Sequence, residues 1–144
     1  MYSSHSILYQ RVGLDTSCIE NAIQTLTNAN PEDDKREAAM WMLSLSYKHL
    51  FRVDGDITHL SASIEITEEH IATTSNSNVQ AMHFTTLAEL KRKRFDKTQE
   101  PADINGAIDA IHMAIALTPH NDYDKQAERL TFLGTCLGKG RGIG

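Results

Sequence analysis

Apolar and small residues recur three and four positions apart along this chain, and the recurrences share a register. Met40, Leu43, Ser44 and Tyr47 are spaced 0, 3, 4, 7. Phe84, Leu87, Ala88 and Lys91 repeat the spacing, and so do Leu130, Leu133, Gly134 and Leu137. This spacing marks one stripe of an α-helix. Its third member is small each time, which predicts the close approach of a neighbouring helix. A second pattern, spaced 0, 4, 7, 12, runs through Ala107, Ile111, Ala114 and Pro119. Ala22, Leu26 and Ala29 match it, with the proline early at Pro31. Ser63, Thr67 and His70 hold the same places in the middle copy. Being polar, they are expected to make that helix the weakest packed.

A longer period ties the stripes together. Phe51, Leu60 and Ile64 recur as Phe95, Ile104 and Ile108, 44 residues on. Tyr9, Ile19 and Ile23 carry a looser trace with one extra residue. A fixed period of this size is the mark of stacked repeats. Boundaries have local causes. Asn30-Pro31 reads as an N-cap followed by proline at the first helical position, and Glu32, Asp33 and Asp34 suit the positive end of the next helix. Ser17 and Glu20 have capping-box spacing, Asp54-Gly55-Asp56 a turn and then a cap, and SNSN at 75–78 a polar loop. Pro101 and Pro119 stand at or near helix starts. The predicted helices are 3–11, 15–29, 32–52, 56–74, 77–97, 101–117 and 121–138. The array starts and stops in mid-unit, so that 121–138 lacks the partner helix of its unit.

Composition narrows the classes of function. The chain has 144 residues, enough for one domain with a substantial core. Its 14 basic and 19 acidic residues give a net charge of −5, which disfavours a general affinity for phosphate backbones. No apolar run approaches the ~20 residues that span a bilayer, and the start MYSSHSILYQ has no signal-peptide pattern. The two cysteines, Cys18 and Cys136, show neither metal spacing nor a disulfide framework, which fits a cytoplasmic protein.

Leu130-x2-Leu133-Gly134-x2-Leu137 resembles the first helix of a tetratricopeptide repeat (TPR), whose signature is W-x2-L-G-x2-Y. Ala107-x3-Ile111-x2-Ala114-x4-Pro119 is similar to the second helix and its closing proline. The 44-residue unit is longer than the usual one, and the extra length falls in turns such as FDKTQEPAD. LTFLGTCLGKG, KRKRFDKTQEPADINGAI and LFRVDGDITHLSASI resemble the lengthened fungal TPR arrays that are often joined to NACHT or CHAT domains. The resemblance covers about residues 8–138. It departs from the pattern at Lys91 and Leu137, where no aromatic closes the stripe, and in the polar helix of Ser63, Thr67 and His70. It implies an all-α superhelix of antiparallel helix pairs, with about six to seven helices here. Residues 1–138 would form the repeat domain and 139–144 a disordered glycine-rich tail.

In that family the first helices line a concave groove that holds peptides. The corresponding candidates are Trp41, Leu45 and Lys48, then Thr85, Glu89 and Arg92, then Thr131 and Thr135. Trp41 and Leu45 have an alternative role in packing against the preceding unit. These residues do not supply the Lys and Asn set of a carboxylate clamp. KRKR, residues 91–94, admits a nuclear-targeting or nucleic-acid reading. No aromatics interleave to stack bases, and four consecutive helical residues splay around about a full turn. The structural reading is preferred: cations near a helix C-terminus, facing solvent. The seven histidines do not cluster in sequence; His49, His59, His83 and His120 read as surface residues, with His70 and His112 bordering packing. VDGD lacks the ligand set of a calcium loop. GTCLGKG is one residue short of a phosphate loop and lacks its Ser or Thr. Cys136 reads as a small apolar filler.

The expectation is a non-catalytic scaffold or adaptor that binds a protein or peptide on a concave helical surface. No cofactor, metal, nucleic acid or membrane is expected, and open array ends could support homo-oligomers. The alternatives are a purely structural segment of a longer array, or a minor role for Lys91–Arg94 in nucleic-acid binding or nuclear targeting.

Overall fold

A computed structural model describes residues 34–140, together with Gln24 and Asn28. Five helices and no strand occur among the described residues: α1 (Asp34–Asp54), α2 (Ile57–Thr73), α3 (Ser77–Thr98), α4 (Pro101–Leu117) and α5 (Tyr123–Gly140). The chain is all-α. The predicted helix 3–11, the Asn30-Pro31 cap and the Ser17–Glu20 capping box lie outside the described residues; of the predicted helix 15–29 only Gln24 and Asn28 are described, both helical. The chain divides into two compact units, Met1–His70 and Ile71–Gly144.

The 44-residue period is present in the backbone. α1 and α3 end 44 residues apart, as do the starts of α2 and α4 and their ends. The caps repeat at the same interval. Gly55 takes φ 68° and its N–H donates to Phe51 O at 2.7 Å; Gln99 takes φ 60° and donates to Phe95 O at 2.7 Å. A left-handed residue closing a helix is ordinary for glycine and uncommon for glutamine. Pro101 then opens α4 with φ preset for a first helical position. Asp56 caps α2 through Oδ1, which accepts from Thr58 N at 3.0 Å, and Asn76 caps α3 by accepting from Asn78 N and Val79 N.

In the first unit, α1 and α2 run antiparallel. Contacts descend α2 as they ascend α1: Arg36 with Glu69 at 3.1 Å, Ser44 with Ser63 at 2.9 Å, Tyr47 stacked on His59. Met40, Leu50, Leu60 and Ile64 are buried in this unit, and Tyr47 and Ile66 close over Ala39 and Leu43. The polar middle copy is as well buried as the apolar one. Ser63 is 0 % exposed and Thr67 3 %, against 0 % for both Ala107 and Ile111 at the matching positions. The reason is a seam of hydroxyls. Ser44 Oγ lies 2.9 Å from Ser63 Oγ and 3.0 Å from Thr67 Oγ1. Ser63 Oγ donates to Ser44 O at 2.9 Å and Thr67 Oγ1 to Ser63 O at 2.9 Å. Small side chains bring the helices close, and each hydroxyl is satisfied across or along the seam. The expected weakness of this helix is not seen in its burial.

His70 is also buried, and burial lowers its pKa below the ordinary value of 6.5, against the pull of Glu37 and with the help of Arg36. The unfolded chain therefore binds the proton more tightly, so this contribution is complete above 6.5 and falls away as pH drops through the lowered value. Thermal melts at pH 7.5 and 5.5 should show the loss, and His70→Gln should flatten the difference. An unchanged difference in the variant would remove His70 as its source.

In the second unit, α4 lies antiparallel to both α3 and α5. Arg94 meets Asp103 at 2.7 Å, and the stem of Lys91 runs across Gly106, where an added Cβ would come within 3.0 Å of Lys91 Cδ. Ala88 on α3 and Ala107, Ala110 and Ala114 on α4 are small residues, all buried. Ile104, Ala107 and Cys136 form a core that Phe95, Ile108 and Phe132 cover. α5 continues to Gly140, two residues into the expected tail; residues 141–144 lie outside the described residues.

KRKR is built into this unit rather than facing solvent. All four side chains are half-buried. Arg92 stacks over the Phe132 ring at 5.0 Å, Arg94 pairs with Asp103, and Lys91 covers Gly106. His59 and His83, expected at the surface, are 7 % and 2 % exposed; His49 is half-buried, and His112 and His120 are exposed.

Candidate functional site

α5 is two-faced. Its inner face places Arg129, Phe132 and Cys136 towards the rest of the second unit. Arg129 Nη1 donates to Thr118 Oγ1 at the end of α4. Phe132 receives the Arg92 guanidinium of α3 on its ring face, a cation–π contact. Lys139 Nζ reaches Asp96 on α3 at 2.6 Å. Cys136 is fully buried, and burial pushes its thiol pKa up, against Arg92 and Lys139, with Asp96 adding to the rise. The thiol is thus held protonated near neutral pH and is a packing group, not an activated nucleophile.

The opposite face is open. Leu130 is 52 % exposed and Leu137 36 %; Leu133 is half-buried, and a Cβ added at Gly134 would meet nothing within 4 Å. These are the four residues of the repeated stripe. In α1 the equivalent Met40, Leu43 and Ser44 are buried, and Ser44 lies against α2. In α3 the equivalent Leu87 and Ala88 are buried, and Lys91 lies across α4. One pattern therefore occurs three times, covered by a following helix twice and uncovered on α5.

The groove candidates divide between the units. Trp41, Leu45 and Lys48 on α1 are half-buried in the first unit. In the second, Thr85 and Glu89 are half-buried on α3, and Thr85 Oγ1 is turned back to Ala81 O at 2.8 Å. Arg92 is engaged with Phe132, and its buried Nε makes no hydrogen bond. Thr131 and Thr135 are exposed beside the open stripe, with hydroxyls returned to Ala127 O and Thr131 O. Sequence reasoning placed Leu130, Leu133, Gly134 and Leu137 on a packing stripe; burial alone distinguishes the open copy from the covered ones.

One group among the described residues has metal-ligand composition: Asp54, Asp56 and His59, with candidate atoms within 4.8 Å of one another. Its atoms already serve the turn. Asp54 Oδ1 accepts from Asp56 N and Asp56 Oδ1 from Thr58, while His59 Nε2 faces Asp54 Oδ2 at 3.2 Å. No helix among the described residues is long and apolar enough to cross a membrane. No family model, curated protein or solved structure matches the chain.

Proposed function

We propose that this chain is a TPR-like interaction scaffold of the cytoplasm, and that the open face of α5 receives an amphipathic helix from a partner protein. The observation that carries the reading is the uncovered third copy of the stripe. α4 shows what fits such a stripe: a helix running antiparallel, with small residues where it crosses and aliphatic residues beside them. The partner helix would set an alanine or glycine over Gly134 and aliphatic side chains over Leu130 and Leu137. Thr131 and Thr135 would border it. Helix-in-groove recognition of this kind draws on apolar anchors and needs no catalytic group.

A labelled peptide with the sequence of residues 101–118 is a suitable probe, since α4 already fits the same stripe on α3. Saturable binding to the full chain is expected, with loss on Leu130→Glu plus Leu137→Glu. Gly134→Ala separates docking from folding. An exposed alanine in a helix interior should stabilise the chain by about 0.5–1 kcal/mol relative to glycine, and yet weaken the peptide by holding its backbone away. A variant that gains stability and keeps full affinity would contradict the docking geometry. Self-association that the same substitutions abolish would assign the face to a second copy instead.

A further inference from the structure

A cavity of about 360 Å³ lies in the second unit between the first turns of α3 and α5, with Arg129 and Lys125 in its wall. Arg129 is the unusual member. Its residue is 6 % exposed, and among the described residues its one hydrogen-bond partner is the Thr118 hydroxyl, which in turn donates to Ala114 O at 2.6 Å. No carboxylate among the described residues pairs with this guanidinium. Buried charges in proteins are ordinarily paired, because removing a charge from water without compensation is costly. The position 46 residues earlier, His83, is also buried but carries no fixed charge.

We infer that the cavity binds a small monocarboxylate with a short aliphatic stem, held by Arg129 and Lys125. The charge of the wall favours one negative charge. Arg129 and Lys125 are opposed by Asp122, whose Oδ1 already accepts from Lys125 N at 3.3 Å. The remaining single positive excess suits a carboxylate better than a phosphate, which carries ~1.5 to 2 charges at neutral pH. Beside Asn78, the wall residues Val79, Ala81, Met82 and Pro119 offer an apolar surface for a hydrocarbon stem. The first backbone N–H groups of α3 do not supply the site, since Asn76 already accepts from Asn78 N and Val79 N. The side chains therefore carry the recognition. A carboxylate would supply the charge-assisted partner that Arg129 lacks. None of the groove candidates lines this cavity, so the inference stands apart from the docking face of α5.

Sodium butyrate titrated into the isotopically labelled full chain, against sodium chloride at equal ionic strength, tests it. Saturable shifts are expected at the Arg129 side-chain N–H and at the backbone of Met82. Lys125 is exposed, so Lys125→Glu should leave the fold intact and weaken butyrate roughly tenfold or more. Met82→Glu, also at an exposed position, should do the same by placing a competing carboxylate in the wall. Arg129→Gln should abolish the response, with circular dichroism checking that the variant is folded. Inorganic phosphate forms the second arm. Phosphate saturating the same signals at lower concentration than butyrate overturns the carboxylate assignment. Absence of saturable shifts with both anions overturns the site.

Discussion

Ser44→Leu is expected to destabilise the first unit by about 3–4 kcal/mol. The position faces the Ser63 and Thr67 hydroxyls at 2.9 and 3.0 Å, with no space for a branched side chain. Overpacking a close contact costs about 1–3 kcal/mol, and buried hydroxyls forced off their partners cost a similar amount. Ser44→Ala is the informative control. Ser63 Oγ would still donate to the carbonyl of residue 44, and Thr67 Oγ1 to Ser63 O. Both hydroxyls stay satisfied, so the alanine variant should lose only about 1 kcal/mol. Trp41, the single tryptophan, lies on α1 and reports this unit selectively in urea unfolding followed by fluorescence. Equal stability of the leucine and alanine variants would mean that the helices do not approach as closely as the seam requires.

Asp103→Ala is expected to destabilise the second unit by about 2–3 kcal/mol. Asp103 is 7 % exposed, and its Oδ1 accepts from Arg94 Nε at 2.9 Å and Nη2 at 2.7 Å. Breaking a buried pair costs about 3–5 kcal/mol because the survivor is left uncompensated. Arg94 is a quarter exposed and can recover some hydration, which lowers the expected cost. The carboxylate also stands in the first turn of α4, where negative charge is favourable by a further few tenths to 1 kcal/mol. A double-mutant cycle with Arg94→Ala, followed by circular dichroism in urea, should give a coupling above about 1 kcal/mol. A coupling near zero would make the pair an ordinary surface ion pair and leave the helix-terminal term alone.

Much of the helical layout was legible because local chemistry fixes helix ends. The expected bounds 101–117 coincide with α4, since proline opens the helix at its preset φ. The expected 77–97 falls one residue short of the C-terminal end of α3, and the expected 56–74 exceeds α2 by one residue at each end; Asn76 and Asp56 cap their starts. The period was legible through Phe51 and Phe95, whose carbonyls close the two left-handed caps. Other features depended on partners distant in sequence. Periodicity treats Ser63 and Thr67 as polar, but Ser44 makes them good interior groups. Lys91, Arg92 and Arg94 looked solvent-facing because Gly106, Phe132 and Asp103 lie on other helices. The open face of α5 has the same pattern as its covered equivalents, and only burial separates them. Arg129 gave no sequence signal, because nothing local distinguishes a buried arginine from an exposed one.

The engagement of KRKR changes what that run means to anything that cleaves or reads basic residues along an extended strand. In the folded chain the run is helical, with three of its side chains committed to Gly106, Phe132 and Asp103. Presenting it as a strand would require α3 to unwind and those contacts to break together. Its availability to such proteins is therefore governed by the opening equilibrium of the second unit. The most basic stretch in the sequence is latent in the native protein, and each kilocalorie lost from the Arg94–Asp103 pair would raise the fraction of molecules that display it.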